Sequence, residues 1–190
     1  MQDEELIQSI LQGYSEKYAV IVERYQAQLY RTAYYYTQNT EDARDLTQDI
    51  FIKAYNSLAK FKHGSAFSTW LYQIAVNHCI DWNRKKKPNC EYAVYLDNLS
   101  DLEMSPEERL LQRETASEVH KAVRSLPEYY RTILILYYFE DFTPQQIADI
   151  LSISKRTVET RLYRGRKILR DKVLIKLYGG VYHGLPSESG

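Results

Sequence analysis

Apolar residues recur three and four positions apart over most of the chain, and no run of convincing length alternates with a period of two. The pattern therefore predicts helices from end to end. A first spans about residues 3–12. A second, about 15–37, carries Tyr18, Ile21, Val22, Tyr25, Leu29, Ala33 and Tyr36 on one stripe. Gln38-Asn39-Thr40 breaks the period, and Thr40 is the expected cap of a third helix whose first turns hold Glu41, Asp42 and Asp45. That helix runs to about Phe61, with Leu46, Ile50, Ala54 and Leu58 four apart. Lys62-His63-Gly64-Ser65 reads as a loop. A helix of about 66–86 follows, stopped by a basic run and Pro88. On it Phe67, Trp70, Leu71, Ile74, Ala75, Cys79 and Trp82 fit an inward face, while Gln73, Asn77, Asp81, Arg84 and Lys85 lie on another side.

Between 88 and 110 the residues Pro88, Asn89, Asp97, Asn98, Ser100 and Pro106 interrupt any period. Helices resume at about 107–125 and 127–141. Then comes TPQQIADILSISKRTVETRLYRGRKILR, residues 143–170. Thr143 suits an N-cap, Pro144 the first helical turn, and Gln146 closes a capping box. Ile147, Ala148, Ile150 and Leu151 form an apolar stripe, which Ser152-Ile153-Ser154 interrupts. Ser154 can cap a second helix with Val158, Leu162, Gly165 and Leu169 inside, and Lys155, Arg156, Thr160, Arg161, Tyr163, Arg164 and Lys167 on the opposite face. The predicted fold is all-α: two small helical domains, 1–88 and 107–178, joined by an acidic flexible linker, 89–106. A disordered tail, 179–190, completes the expectation.

Charge changes this picture more than composition does. The net charge is zero, but it is segregated along the chain. Residues 155–176 hold nine Lys/Arg against two Asp/Glu, and Arg84-Lys85-Lys86-Lys87 adds a second basic cluster. Residues 3–49 hold nine acids against four bases, and 91–118 eight against two. Stand-alone DNA binders usually carry a basic excess, because neutralising phosphates supplies much of their affinity. Two basic regions around an acidic middle point to a protein that touches DNA in two places and needs a partner for the rest.

A short helix, a tight turn and a cationic second helix fit a DNA major groove, the bland alternative being a solvated helix pair. The face with Gln73, Asn77, Arg84 and Lys85, entered through a Gly-Ser loop, can hold unpaired bases or straddle a backbone. The eighteen tyrosines, clustered at Tyr34-Tyr35-Tyr36 and Tyr137-Tyr138, read as packing aromatics rather than base-stacking ones. Cys79, Cys90 and four scattered histidines cannot build a four-ligand zinc site, and a Gly-rich phosphate loop is absent. His63 and His78 read as a loop residue and a packed helix residue. No catalytic residue, metal or cofactor is assigned. No apolar run approaches the roughly 20 residues of a membrane span, and MQDEELIQSI lacks a secretion signal, so a cytoplasmic protein without membrane insertion is expected.

Three blocks together resemble the extracytoplasmic-function (group IV) sigma factors, the promoter-specificity subunits of bacterial RNA polymerase. They are EDARDLTQDIFIKAY (41–55), FKHGSAFSTWLYQIAVNHCIDWNRKKK (61–87) and LPEYYRTILILYYFEDFTPQQIADILSISKRTVETRLYRGRKILR (126–170). The resemblance implies a region 2-like bundle at 1–88 and a region 4-like helix-turn-helix domain at 107–178. Asp42, Asp45, Leu46, Gln48, Asp49, Phe51 and Ile52 would then dock on a coiled coil of the largest polymerase subunit. The loop and helix carrying Lys62, His63, Ser65, Phe67, Gln73 and Asn77 would hold the −10 element as a single strand with a flipped base. Arg84, Lys85, Lys86 and Lys87 would follow the upstream duplex. Lys155, Arg156, Glu159, Thr160, Arg161, Tyr163, Arg164 and Lys167 would face the duplex −35 element.

The resemblance also implies an anti-sigma partner, which no residue here identifies. Glu159 departs from the Lys or Arg common in relatives, and could accept a hydrogen bond from a cytosine amino group. Lys155-Arg156 replaces a small, Gly-containing turn. A competing reading is a stand-alone regulator of duplex DNA, since SISKRTVETRL also resembles the recognition motif of response-regulator effector domains. That reading leaves residues 41–87 unexplained.

Overall fold

Helix follows helix in the computed structural model, which describes residues 2–61, 64–86 and 121–178. The elements are α1 (Asp3–Leu11), a 3-10 turn (Ser15–Lys17), α2 (Tyr18–Thr37), α3 (Thr40–Ser57), a second 3-10 turn (Leu58–Lys60), α4 (Phe67–Lys86), α5 (Glu128–Tyr138), α6 (Pro144–Leu151) and α7 (Lys155–Tyr178). The fold is all-α, with no strand among the described residues. The expected linker at 89–106 and tail at 179–190 lie outside them.

Local chemistry explains the breaks. Gln38 ends α2 in the left-handed region at φ 57, and its side-chain amide donates to the carbonyls of Tyr34 and Tyr35 at 3.0 and 2.8 Å. Asn39, not Thr40, caps α3. Its side-chain oxygen accepts from the backbone N–H groups of Glu41 and Asp42 at 2.9 and 3.0 Å, while Thr40 is already helical. Both residue types cap well, and the extended backbone at Asn39 decides between them. Around α6 the expected capping box forms, with Gln146 N–H donating to Thr143 Oγ1 at 3.3 Å and Thr143 N–H to Gln146 Oε1 at 2.9 Å. The helix closes on left-handed Ser152, with Ile153 N–H reaching back to Ala148 O at 3.0 Å. This is the glycine-like C-terminal wrap, made here by a serine.

Packing groups the described residues into two compact units: those within 1–94 together with 136–155, and those within 95–135 together with 156–190. In the first, α1 to α4 bury Leu6, Ile7, Ile21, Leu29, Ala33, Leu46, Ile50, Ala54, Leu71 and Ala75. Tyr25 Oη donates to Asp3 at 2.5 Å and ties α1 to α2, and Tyr18 Oη donates to Phe51 O at 2.7 Å and ties α2 to α3. An aromatic cluster of Tyr25, Phe61, Phe67 and Trp70 anchors the start of α4. Helix α6 packs on α4 within this unit.

In the second unit Ala122, Val123, Leu126, Ile133 and Leu134 form a core with Val158 and Leu162. Gly165 lets two helices approach closely, since a Cβ there would lie 3.4 Å from Leu134 Cδ1 and 3.5 Å from Tyr130 Cβ. Lys172 Nζ donates to Ser125 O at 3.0 Å and to its Oγ at 2.8 Å, tying the middle of α7 to the turn before α5.

Candidate functional site

Asp45, Gln48, Asp49 and Ile52 fall at helical spacing i, i+3, i+4 and i+7, and all four are exposed along one stripe of α3. Ile52 is 58% exposed, high for a branched apolar side chain. Asp42 is half-buried at the head of the stripe. Leu46 and Phe51 do not join it. At 2% exposure Leu46 serves the helical core, which corrects its expected place on a docking face; Phe51, 7% exposed, packs inward but also lines the groove beside the row.

Beside the stripe lies a groove of about 630 Å³, lined by Tyr18, Ala19, Val22, Phe51, Ile52 and Tyr55 among others. Sequence reasoning missed it, because Tyr18 and Val22 read simply as the inner stripe of the second helix. An acidic row beside an apolar groove suits a protein partner with basic and apolar groups better than it suits nucleic acid. The row is also held from behind. His78 Nε2 on α4 lies 3.5 Å from Asp49 Oδ2, and Lys53 Nζ donates to His78 Nδ1 at 2.5 Å. Burial, then the Lys53 ammonium, holds His78 below its ordinary value, with Asp49 and Asp81 opposing.

Helix α4 divides the next group of predicted residues. Ser65, Asn77, Arg84 and Lys85 are exposed, and Gln73 is half-exposed. Gln73 and Asn77 are one turn apart, with Asp81 and Arg84 continuing the same row. Phe67 is the exception. At 1% exposure its ring sits between Tyr25, Phe61 and Trp70, so it positions the start of α4 and is not itself a contact surface. Lys62, His63 and Lys87 lie outside the described residues, and Lys86 is placed only as the last residue of α4.

On α7 the predicted face forms as one surface. Lys155, Arg156, Glu159, Thr160, Tyr163, Arg164 and Lys167 are exposed and Arg161 is half-exposed, opposite buried Val158 and Leu162. Thr160 Oγ1 donates to Arg156 O at 2.8 Å, which leaves its hydroxyl oxygen outward as an acceptor. The Arg161 guanidinium lies 5.5 Å over the Tyr129 ring. Tyr129 was not singled out from sequence, since the signal is a long-range pairing that no local spacing shows.

Among the described residues no cluster of three metal-ligating side chains occurs, and no helix is long and apolar enough to cross a membrane. The buried thiol of Cys79 is pushed up by burial alone, as for an inert core cysteine.

Among the described residues an all-helical frame thus carries an acidic row on α3, a polar row on α4 and a basic face on α7. Comparison with known proteins identifies the family. Residues 21–88 match Sigma-70 region 2, and residues 116–169 match Sigma-70, region 4. The chain is 33% identical to the ECF RNA polymerase sigma factor SigW of Bacillus subtilis, over 88% of this chain and 94% of that protein. It is also 33% identical to the RNA polymerase sigma-H factor of Pseudomonas aeruginosa, over 91% of this chain and 94% of that protein. The fold is similar to that of CnrH, solved with the cytosolic domain of CnrY (TM-score 0.67, 22% identity, 89% of this chain and 95% of that one). A similar match is the sigma factor RpoE with the anti-sigma factor NepR from Bartonella quintana (TM-score 0.67, 20% identity, 84% and 98%). The chain belongs to the sigma-70 family, as a sigma factor of the extracytoplasmic-function type.

Proposed function

We propose that the chain directs core RNA polymerase to promoters by presenting three separate faces, each with its own partner. The acidic row of α3, with the apolar groove beside it, docks on the polymerase. Gln73, Asn77, Arg84 and Lys85 on α4, with the loop residue Ser65, hold the −10 element as a single strand. Extruding a base costs a few kcal/mol of stacking, so an amide such as Asn77 must return hydrogen bonds to it. The basic face of α7 enters the major groove of the −35 element, where Arg161, Tyr163 and Arg164 are the readers and Lys155, Arg156 and Lys167 the phosphate contacts.

The observation that carries this reading is the order of two family regions along one chain, with exposed faces of opposite sign on α3 and α7. The division of labour follows the two sequence domains, 1–88 and 107–178. The role is one of recognition without catalysis, carried out in the cytoplasm. The solved relatives CnrH and RpoE are held by CnrY and the anti-sigma factor NepR, and this chain is regulated by a protein of the latter kind.

A direct test compares promoter binding by the free chain and by the chain with core polymerase, at physiological salt. Weak, unselective binding alone and selective binding with core are expected. Tight sequence-specific binding by the free chain would replace this reading with that of a stand-alone regulator.

A further inference from the structure

Asp49 and Lys53 stand four residues apart on α3, acid before base, the order in which a helix most readily pairs them. They do not pair. Among the described residues Lys53 Nζ donates to His78 Nδ1 on α4 at 2.5 Å, and no ion pair joins it to Asp49. The Asp49 side chain stays 61% exposed, with His78 Nε2 3.5 Å from its Oδ2. That ring nitrogen is buried and makes no hydrogen bond. All three residues lie within one compact unit.

An ammonium group has only protons to give, so Nδ1 accepts and the neutral ring carries its own proton on Nε2. Neutral His78 thus takes up the Lys53 bond and turns an uncharged N–H toward Asp49. A second proton would undo both. Nδ1 would become a donor facing an ammonium, and Lys53 would lose its acceptor with Asp49 one turn back on the same helix. The ring itself would then be a cation beside that carboxylate. The charged groups acting on His78 are Lys53 and Asp49 from α3 and Asp81 from α4. Helices α2 and α6 also pack on α4, and no charged group of theirs is among them. Burial, with Lys53 second, outweighs the pull of the two carboxylates and favours the neutral ring.

We infer that His78 is a positioning residue for polymerase docking, which in its neutral form draws Lys53 aside and leaves the Asp49 carboxylate open to a basic group of the partner. The inference rests on the proposed role of the α3 row and adds to it a residue on another helix. A docking acid already paired within its own chain must break that pair before it meets a partner, so the internal pair subtracts from affinity. Exposed pairs at this spacing are weak, which makes the effect a few-fold one. Protonation brings an imidazolium to the same carboxylate. Docking therefore weakens as pH falls through the folded value of His78, which burial and Lys53 hold below 6.5.

The test measures binding of the full chain to core polymerase at about pH 7.5 and about pH 5.5. His78→Leu, which removes the acceptor, is expected to weaken docking about threefold at the higher pH, and adding Lys53→Met is expected to restore it. His78→Asn places a side-chain oxygen where Nδ1 was and should dock as the unmutated chain does at the higher pH. On acidification the unmutated chain should lose about threefold more affinity than His78→Asn, which does not titrate. A His78 that only fills space would give neither the rescue by Lys53→Met nor the difference in pH profile. Undiminished docking by folded His78→Leu, failure of that rescue, or parallel pH profiles would each overturn the inference. Where His78→Leu loses helical content by circular dichroism, the comparison with His78→Asn decides alone. If Asp45→Arg with Asp49→Arg leaves docking unchanged, the functional reading fails instead, and ring-nitrogen NMR shifts of His78 decide the contact. They are expected to place the proton on Nε2 and to show tighter proton binding in Lys53→Met. A proton on Nδ1, or unaltered titration in Lys53→Met, would overturn it.

Discussion

Helices α3 and α7 expose a stripe by the same geometry and present opposite chemistry. On α3 the outward positions are Asp45, Gln48, Asp49 and Ile52, with a groove of apolar side chains alongside. On α7 they are Lys155, Arg156, Tyr163, Arg164 and Lys167, with the acid Glu159 among them. Carboxylates beside an apolar groove repel phosphates but can pair with a basic protein surface. Guanidinium and ammonium groups do the reverse, and release counterions when they meet DNA. On the proposed roles, the difference accounts for a chain of zero net charge that serves nucleic acid: each face carries the sign its proposed partner requires, and the sum conceals both.

The largest expected effect breaks the α3 side. Asp45→Arg with Asp49→Arg should weaken association with core polymerase about a hundredfold, the equivalent of ~3 kcal/mol, while circular dichroism shows unchanged helical content. Co-purification at the unmutated level would remove the docking claim. Next, Arg164→Ala should cost about 1–3 kcal/mol at the −35 element and lower the salt slope of binding by about one. Asn77→Ala should leave the closed promoter complex intact and impair strand opening, read by permanganate footprinting. Equal defects in both steps for both variants would erase the division between α4 and α7.

The sharp parts of this comparison were legible in the sequence for a physical reason. Helical spacing alone sorts Val158 and Leu162 from Arg156 and Arg164, and a Thr-Pro-x-Gln capping box marks the start of α6 to the residue. Removing that cap with Thr143→Ala should cost about 1 kcal/mol of stability, read as a lowered urea midpoint without loss of α3 docking.

Legibility failed at stripe edges and at long range. Leu46 neighbours Asp45 in the family motif, yet is turned by about 100° around the helix into the core, and Phe51 likewise stands beside exposed Ile52. Phe67 lies in a loop-proximal motif, but Phe61 and Trp70 nearby and Tyr25 from α2 claim its ring. The buried carboxylate of Glu140, which accepts from Tyr72 and Thr32, had no sequence signal beyond one acid in an aromatic run, because those partners stand 68 and 108 residues away. The cap at Asn39 rather than Thr40 shows the same limit on a local scale.

The smallest effect concerns pH. Folded His78 holds its proton less tightly than the unfolded chain does, so its contribution is intact above 6.5 and is lost as pH falls below that value. Glu140, raised chiefly by burial, acts in the opposite sense: its folded form holds the proton more tightly, so stability declines as pH rises through its folded value. His78→Gln should therefore flatten the fall in melting temperature between pH 7 and pH 5.5 by a degree or two, on the order of a few tenths of a kcal/mol. An unaltered pH profile would contradict the effect of burial and of Lys53 on His78.

Mapping transcript start sites in a reconstituted reaction, with bacterial core polymerase and a library of promoter sequences, tests the central claim most directly. The expected result is discrete starts at a fixed distance from a paired −10 and −35 element, present only when this chain is added. Starts indistinguishable from those of core polymerase alone would contradict the account.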